Sequence, residues 1–254
     1  MAKKVFIGVG HGGKDPGAVA NGVKEKNLNL AISLACKDEL ERHGVEVKMS
    51  RIKDEDDTLT EEINECNAYR PDLALDIHNN AGRGNGAEAY CSLKGGVDRT
   101  LATNVLKEII KVGQNSRGVK TKKRADGLDY YGFVRLISAP SIIVECAFVD
   151  NVTDIQIIDT AAEQKIMGIA IAKGVLATLG IAWIDPTVIV KPAEIYRVRK
   201  SWDDAKSQLG AYSVLANAKN KADVNSGYKV FDSKGKCVYE PKDKIQKGDT
   251  VKLR

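Results

Sequence analysis

The chain has 254 residues, 43% of them apolar and 29% charged, which suits a soluble globular protein with room for one ordinary domain and a small one. No apolar run approaches the roughly 20 residues that cross a bilayer, so membrane insertion is not expected. The five cysteines (Cys36, Cys66, Cys91, Cys146, Cys237) are odd in number and scattered without a CxxC pair, which argues against a disulfide framework and a cysteine-rich zinc knuckle.

Met1-Ala2-Lys3-Lys4 leads directly into an apolar strand pattern, Val5–Val9, with no signal-peptide core. The chain is therefore expected to be cytoplasmic on synthesis. A helix is predicted over Asn27–Arg42, stopped by Gly44, then a strand over Glu46–Ser50. Thr58-Leu59-Thr60-Glu61 is a capping-box pattern that opens a helix towards Tyr69. Leu73–Ile77, Gly86–Cys91, Phe133–Ile137 and Ser141–Glu145 read as strands. Asp98–Val112 and Thr160–Leu179 read as helices. This alternation predicts an α/β domain over 1–182, with a central twisted, mostly parallel sheet flanked by helices.

Residues 183–193 include a stretch bracketed by Pro186 and Pro192 and read as an extended linker. Beyond it, 194–254 read as a small α+β domain: a strand at Tyr196–Arg199, a helix near Ser213–Val224, and a hairpin about Ser233-Lys234-Gly235. The net charge of +5 is unevenly spread. From Glu194 onward there are 14 Lys/Arg against 8 Asp/Glu, so all the excess positive charge lies in this module. An anionic polymer or surface is the partner such a module suits.

Two of the three histidines, His11 and His78, follow apolar strand patterns, where sheet proteins present reactive groups. Glu25 opens a helical stretch, and Glu145 ends Ser141-Ile142-Ile143-Val144, where an unpaired carboxylate would be costly to bury. Two imidazoles, a carboxylate ligand and a spare carboxylate are what a hydrolytic zinc centre requires. The glycine loop beside His11 admits two other readings. Gly8, Gly10 and Gly13 fit a dinucleotide fingerprint, but Asp15-Pro16-Gly17 interrupts the helix it needs. Gly8, Gly13 and Lys14 fit most of a P-loop, but Asp15 stands where a hydroxyl should bind magnesium. His43, at a helix end, reads as a favourable C-terminal charge, and Cys146 as core.

Taken together, the segments Gly10-His11-Gly12-Gly13-Lys14-Asp15-Pro16-Gly17-Ala18, Glu25-Lys26-Asn27-Leu28, Asp76-Ile77-His78-Asn79-Asn80 and Val144-Glu145-Cys146-Ala147-Phe148-Val149-Asp150-Asn151 carry a resemblance over about residues 3–180. They resemble the zinc-dependent N-acetylmuramoyl-L-alanine amidases of the Amidase_3 family. The resemblance implies Zn2+ held by His11, Glu25 and His78, with Glu145 as the catalytic carboxylate. It implies peptidoglycan as substrate, cut between N-acetylmuramic acid and L-alanine. Asp76 departs from the small residue usual two positions before the second histidine. It is expected to orient His78, with Asn80 as a further supporting or substrate-facing group.

The C-terminal module looks like the small modules appended to clostridial cell-wall lytic enzymes. Tyr196, Arg197, Arg199, Trp202, Tyr212 and Tyr228 are its candidate wall-binding residues, suited to saccharides or anionic wall polymers by stacking and charge. Nucleic acid is not expected. The expected setting is a phage or prophage endolysin, with a sporulation autolysin also compatible. A zinc peptidase cutting within the stem peptide and a non-catalytic wall-binding protein are the competing functions.

Overall fold

The computed structural model describes residues 2–185, 195–212 and 215–241, and the chain divides into two compact units, 1–184 and 185–254. In the first unit the elements run β1 (Lys4–Val9), a short ribbon of β2 (Val19–Ala20) and β3 (Val23–Lys24), α1 (Glu25–Arg42), β4 (Glu46–Met49), α2 (Leu59–Tyr69) and β5 (Leu73–Asn80). There follow β6 (Ala87–Cys91), α3 (Val97–Lys111), β7 (Ser116–Lys120), α4 (Gly132–Leu136), β8 (Ser141–Phe148), α5 (Val152–Ile155) and α6 (Ala161–Leu179). The six-stranded sheet has the order β4-β1-β5-β8-β6-β7, and every pairing is parallel except β6 with β8.

Strand alternation assigns the two faces of the sheet different work. Val5, Ile7 and Val9 of β1, Leu75 and Ile77 of β5, and Ile142, Val144 and Cys146 of β8 point to one face. They form a single buried cluster with Leu28 and Ile32 of α1, Leu101 and Val105 of α3, and Ile171 and Val175 of α6. Cys146 is core, as alternation predicts. Phe6, Ala74 and Ile143 point to the other face, where they cluster with Ile63 and Cys66 of α2, Phe133 and Val134 of α4, and Ile137 just beyond it. Because α2 and α4 are short, this cover is partial. The strand positions that follow Phe6, Ala74 and Ile143 on the same face are Gly8, Asp76 and Glu145.

The two helices with capping boxes, α2 and α6, begin as their sequences dictate. Thr58 accepts from the Glu61 amide while Glu61 accepts from the Thr58 amide, and Thr160 and Glu163 repeat the arrangement. Residues 133–137 differ from expectation: they are a helical turn, not a strand. Phe133, Val134 and Ile137 are all buried in one cluster, a spacing that a helix satisfies and strand alternation does not. The edge strand β7 escapes sequence reading because Ser116-Arg117-Gly118-Val119-Lys120 lacks apolar alternation, as exposed edges do. Strands β5 and β8 run to Asn80 and Phe148, so His78 lies within its strand and not just after it, and Glu145 lies inside its strand and not at the end.

Trp183 and Ile184, expected in the linker, belong to the first unit. Trp183 stacks on His43 with ring centroids 4.8 Å apart, and the Ile184 amide donates to His43 Nε2 at 3.0 Å. His43 is thus a buried docking point for the chain beyond α6, as well as the end of α1. The rest of the expected linker, 186–193, lies outside the described residues.

The second unit carries β9 (Tyr196–Arg199), a 3-10 turn at Ala205–Ser207, β10 (Gly210–Tyr212), α7 (Leu215–Asp223), β11 (Lys229–Phe231) and β12 (Cys237–Tyr239). Its antiparallel sheet has the order β10-β9-β11-β12. Val198, Val230, Ala218 and Ala222 form its core.

Candidate metal centre and active site

The loop after β1 delivers His11 in a conformation that needs support. Its φ is 60°, a left-handed region uncommon for a residue with a side chain. Asp15 steadies it: His11 Nδ1 lies 2.8 Å from Asp15 Oδ2, and the Gly12 and Asp15 backbones exchange hydrogen bonds. Behind the loop, the buried Arg51 guanidinium donates to the carbonyls of Val9, Gly10 and Lys26 at 3.2, 3.3 and 2.8 Å. Arg51 therefore ties the exit of β1 to the start of α1.

Glu25 is the first residue of α1, where unpaired helix amides favour a carboxylate. Its Oε2 accepts from the Ala18 amide at 2.9 Å, and its Oε1 from the Asn79 amide at 3.1 Å. Asn29, one turn further on, donates to Glu25 Oε1 and to the Gly10 carbonyl and accepts from Asn79. Loop, helix and strand β5 are thereby locked together around one carboxylate.

His11 Nε2 lies 3.2 Å from Glu25 Oε2, and His78 Nδ1 lies 3.2 Å from Glu25 Oε1. One donor atom from each of the three residues falls within 4.8 Å of the others. Two glycines permit this approach. A Cβ on Gly10 would sit 2.3 Å from the His78 ring, and one on Gly17 would sit 2.6 Å from both Glu25 and His11. Two imidazole nitrogens and one carboxylate oxygen converging in this way fit a divalent ion of the zinc type, with a coordination position left for water or substrate. Burial works against the Glu25 charge, yet hydrogen bonds from His11 and His78 hold its carboxyl well below the usual range.

Asp76 sits two residues before His78 on the same face, with Oδ2 3.2 Å from His78 Nε2. Each histidine thus turns one nitrogen to Glu25 and the other to an aspartate, Asp15 or Asp76. Asn80 does not join this group: its carboxamide donates to Glu88 at 3.1 Å and accepts from the Ala81 amide.

Glu145 is the register partner of His78 on one side and of Glu88 on the other. Its Oε2 is buried and has no hydrogen-bond partner among the described residues. Burial pushes its carboxyl up to about 7, against the pull of His78 and with the help of Glu25, Asp76 and Glu88. Glu88 meets the opposite environment. Burial opposes its charge too, but Lys120, Arg117 and the Tyr90 hydroxyl all donate to it and hold it below the usual carboxylate range. One carboxylate of the adjacent pair stays ionised while the other titrates near neutrality, a division of labour found in acid–base sites. His11, Asp76, His78 and Glu145 line a cavity of about 290 Å³, together with Leu59, Glu62 and Tyr131.

Glu88, Arg51 and Glu62 were not singled out in the sequence, and Asp15 entered there only as a residue that spoils the two nucleotide-loop readings and as part of the first family segment. Glu88, Arg51 and Glu62 take their partners from segments distant in sequence that only the tertiary structure brings together, whereas Asp15 meets His11 four residues away within one loop.

In the C-terminal unit, Arg199 and Arg197 lie 5.1 and 5.9 Å from the Trp202 ring centroid, and Gly235 packs against that ring. Tyr196, Tyr212 and Tyr228 are partly buried and pack against the module's core. Of the six candidates, the structure gathers Arg197, Arg199 and Trp202 and gives the three tyrosines packing work.

The family profile described as N-acetylmuramoyl-L-alanine amidase, Amidase_3, matches residues 5–177. The chain is 31% identical over 236 residues to a sporulation-specific N-acetylmuramoyl-L-alanine amidase of Bacillus subtilis, covering 91% of this chain and 83% of the relative. It is 36% identical over 160 residues to the endolysin of Bacillus phage SPP1, covering 59% and 56% of the two chains. Cwp6 from Clostridium difficile superimposes with a TM-score of 0.69 at 38% identity, covering 70% of this chain and 30% of that one. The chain belongs to the Amidase_3 family and is an N-acetylmuramoyl-L-alanine amidase, a peptidoglycan hydrolase that cuts the amide bond between N-acetylmuramic acid and the L-alanine of the stem peptide.

Proposed function

We propose that the amidase works with Zn2+ held by His11, Glu25 and His78, and with Glu145 as its catalytic carboxylate. The convergence of two imidazole nitrogens and one carboxylate oxygen beside a half-buried glutamate carries this reading. Zinc, when bound, supplies a Lewis acid that polarises the amide carbonyl and acidifies water. Glu145 then has a proton to move. A carboxyl poised near neutrality accepts a proton from water and returns it to the leaving amine of L-alanine, with the driving force balanced in both directions. Asp15 and Asp76 fix the orientations of the two imidazoles, so that each presents one chosen nitrogen to the metal. Glu88 stays ionised beside Glu145 and keeps its proton affinity high.

Mass spectrometry of digested walls tests the bond cut: whole stem peptides with free L-alanine amino termini support the reading, whereas cleavage within the stem would mark a peptidase. Metal analysis of the purified chain, with and without chelator, tests the zinc assignment.

For the second unit we propose binding to a wall polymer through the Arg197–Arg199–Trp202 cluster, where a ring face flanked by guanidinium groups suits a saccharide bearing negative charge. The 91% coverage in the alignment with the sporulation amidase extends past the family profile into this unit. Pelleting of the full chain with purified walls, compared with Trp202→Ala, is the test; equal binding by both would refute it. The likeness to the SPP1 endolysin supports deployment as an endolysin. That setting predicts that cells expressing the chain lyse only once their membrane is permeabilised.

A further inference from the structure

Glu62 is a third carboxylate of the same cavity and belongs to neither the metal triad nor the proton-transfer pair. It lies on α2 and is buried, with 7% of its surface exposed, and Asp76 is 4% exposed. Glu62 Oε1 and Asp76 Oδ1 are both without hydrogen-bond partners among the described residues. Both oxygens abut the same spot above Gly8: a Cβ built there would lie 2.2 Å from Glu62 Oε1 and 2.9 Å from Asp76 Oδ1. Only a glycine leaves room for the two to converge.

Two ionised carboxylates cannot share so small a buried space without a proton or a cation between them. Asp76 already spends its Oδ2 on His78 Nε2, 3.2 Å away, which leaves its buried Oδ1 as the oxygen beside Gly8. Arg51, a cation within electrostatic reach of Glu62, commits its guanidinium to backbone carbonyls. Burial, then the neighbouring charges of Asp76 and Asp57, push the Glu62 carboxyl well above the usual range.

We infer that Glu62 keeps its proton and donates it across Gly8 to Asp76, making it a positioning residue that holds Asp76 on His78 and thereby aims the His78 nitrogen at the metal. The inference rests on the zinc reading of the triad. It extends the chain of support from the metal ligand, through an aspartate, to a helix on the sparsely covered face of the sheet.

The test is zinc affinity, measured on the metal-free full chain by competition with a chromophoric chelator at pH 7. Glu62→Gln keeps a donor for Asp76 and is expected to bind within about threefold of the wild type. Glu62→Leu removes the donor and is expected to weaken binding by about ten- to a hundredfold, the usual cost of losing an outer partner of a ligand. In an Asp76→Ala background, Glu62→Leu is expected to cost nothing further, which a merely structural role would not produce. If the leucine variant does not fold, Glu62→Met carries the same comparison.

Unchanged affinity in Glu62→Leu, equal losses in the Gln and Leu variants, or additive losses with Asp76→Ala would each overturn the inference and leave the triad intact. Two zinc equivalents in the wild type falling to one in Glu62→Gln would put a cation over Gly8 and overturn it as well. A wild-type chain that takes up no zinc would sink the metal reading itself.

Discussion

Glu145 stands directly beside His78, residue against residue, in the parallel pairing of β8 with β5. One pairing of two buried strands thereby sets a carboxylate, the proposed proton acceptor, next to a metal-ligand candidate. The rigid sheet holds that spacing with no help from a loop. This neighbourhood governs the first prediction: Glu145→Gln is expected to retain zinc while losing turnover by a factor on the order of 10² or more. Metal content and release of L-alanyl peptides from walls are the measurements, and a near-native rate would remove Glu145 from the mechanism.

The same carboxyl makes metal-free stability depend on pH. Its folded-state value is raised from 4.5 to about 7, so its contribution to stability is fully present below 4.5 and is lost as pH rises through 7. Glu145→Gln escapes that loss. In chelator-treated protein, its stability relative to the wild type is expected to grow between pH 4.5 and 7 and to level off at up to ~3 kcal/mol. Urea titrations at pH 4.5, 6 and 8 would reveal this. A constant difference across that range would contradict it.

Zinc bound to the folded chain alone stabilises it by mass action, about 2.7 kcal/mol at a hundred times the dissociation constant, or on the order of 5–10 °C in Tm for a domain of this size. His11→Ala and His78→Ala are each expected to abolish that shift. Thermal scans with and without added zinc provide the check, and a histidine variant that kept the full shift would be inconsistent with the triad.

Gly10 tests the geometry from the backbone side. Because its Cβ would lie 2.3 Å from the His78 ring, Gly10→Ala forces the imidazole to move. Zinc affinity is expected to fall by at least roughly tenfold with the far-ultraviolet circular dichroism unchanged. Native affinity would mean that His78 has freedom which the packing denies it.

Arg51 carries the loop. Its buried guanidinium donates to four backbone carbonyls, those of Val9, Gly10, Lys26 and Lys53. Arg51→Met leaves those carbonyls unpaired, and the expected loss is about 2–4 kcal/mol of stability together with weakened zinc binding. Denaturant midpoints would measure the first effect and chelator competition the second.

The sequence by itself determined the sheet's apolar alternation and the capped helices and singled out His11, Glu25, His78 and Glu145 as candidates, which the structure brings together, because these depend on local pattern and on motifs that read along the chain. It misread residues 133–137, where burial on one side of a helical turn mimics a strand in composition. Tertiary structure alone decided which acids acquire partners. Asp76 and Glu62 meet only because α2 covers the strand face that carries Gly8. Glu88 stays charged beside Glu145 only because Arg117 and Lys120 arrive from an edge strand with no apolar signature. The physical reason is range: alternation and capping act over a few residues, whereas a buried charge takes its state from neighbours that only the register of distant strands supplies.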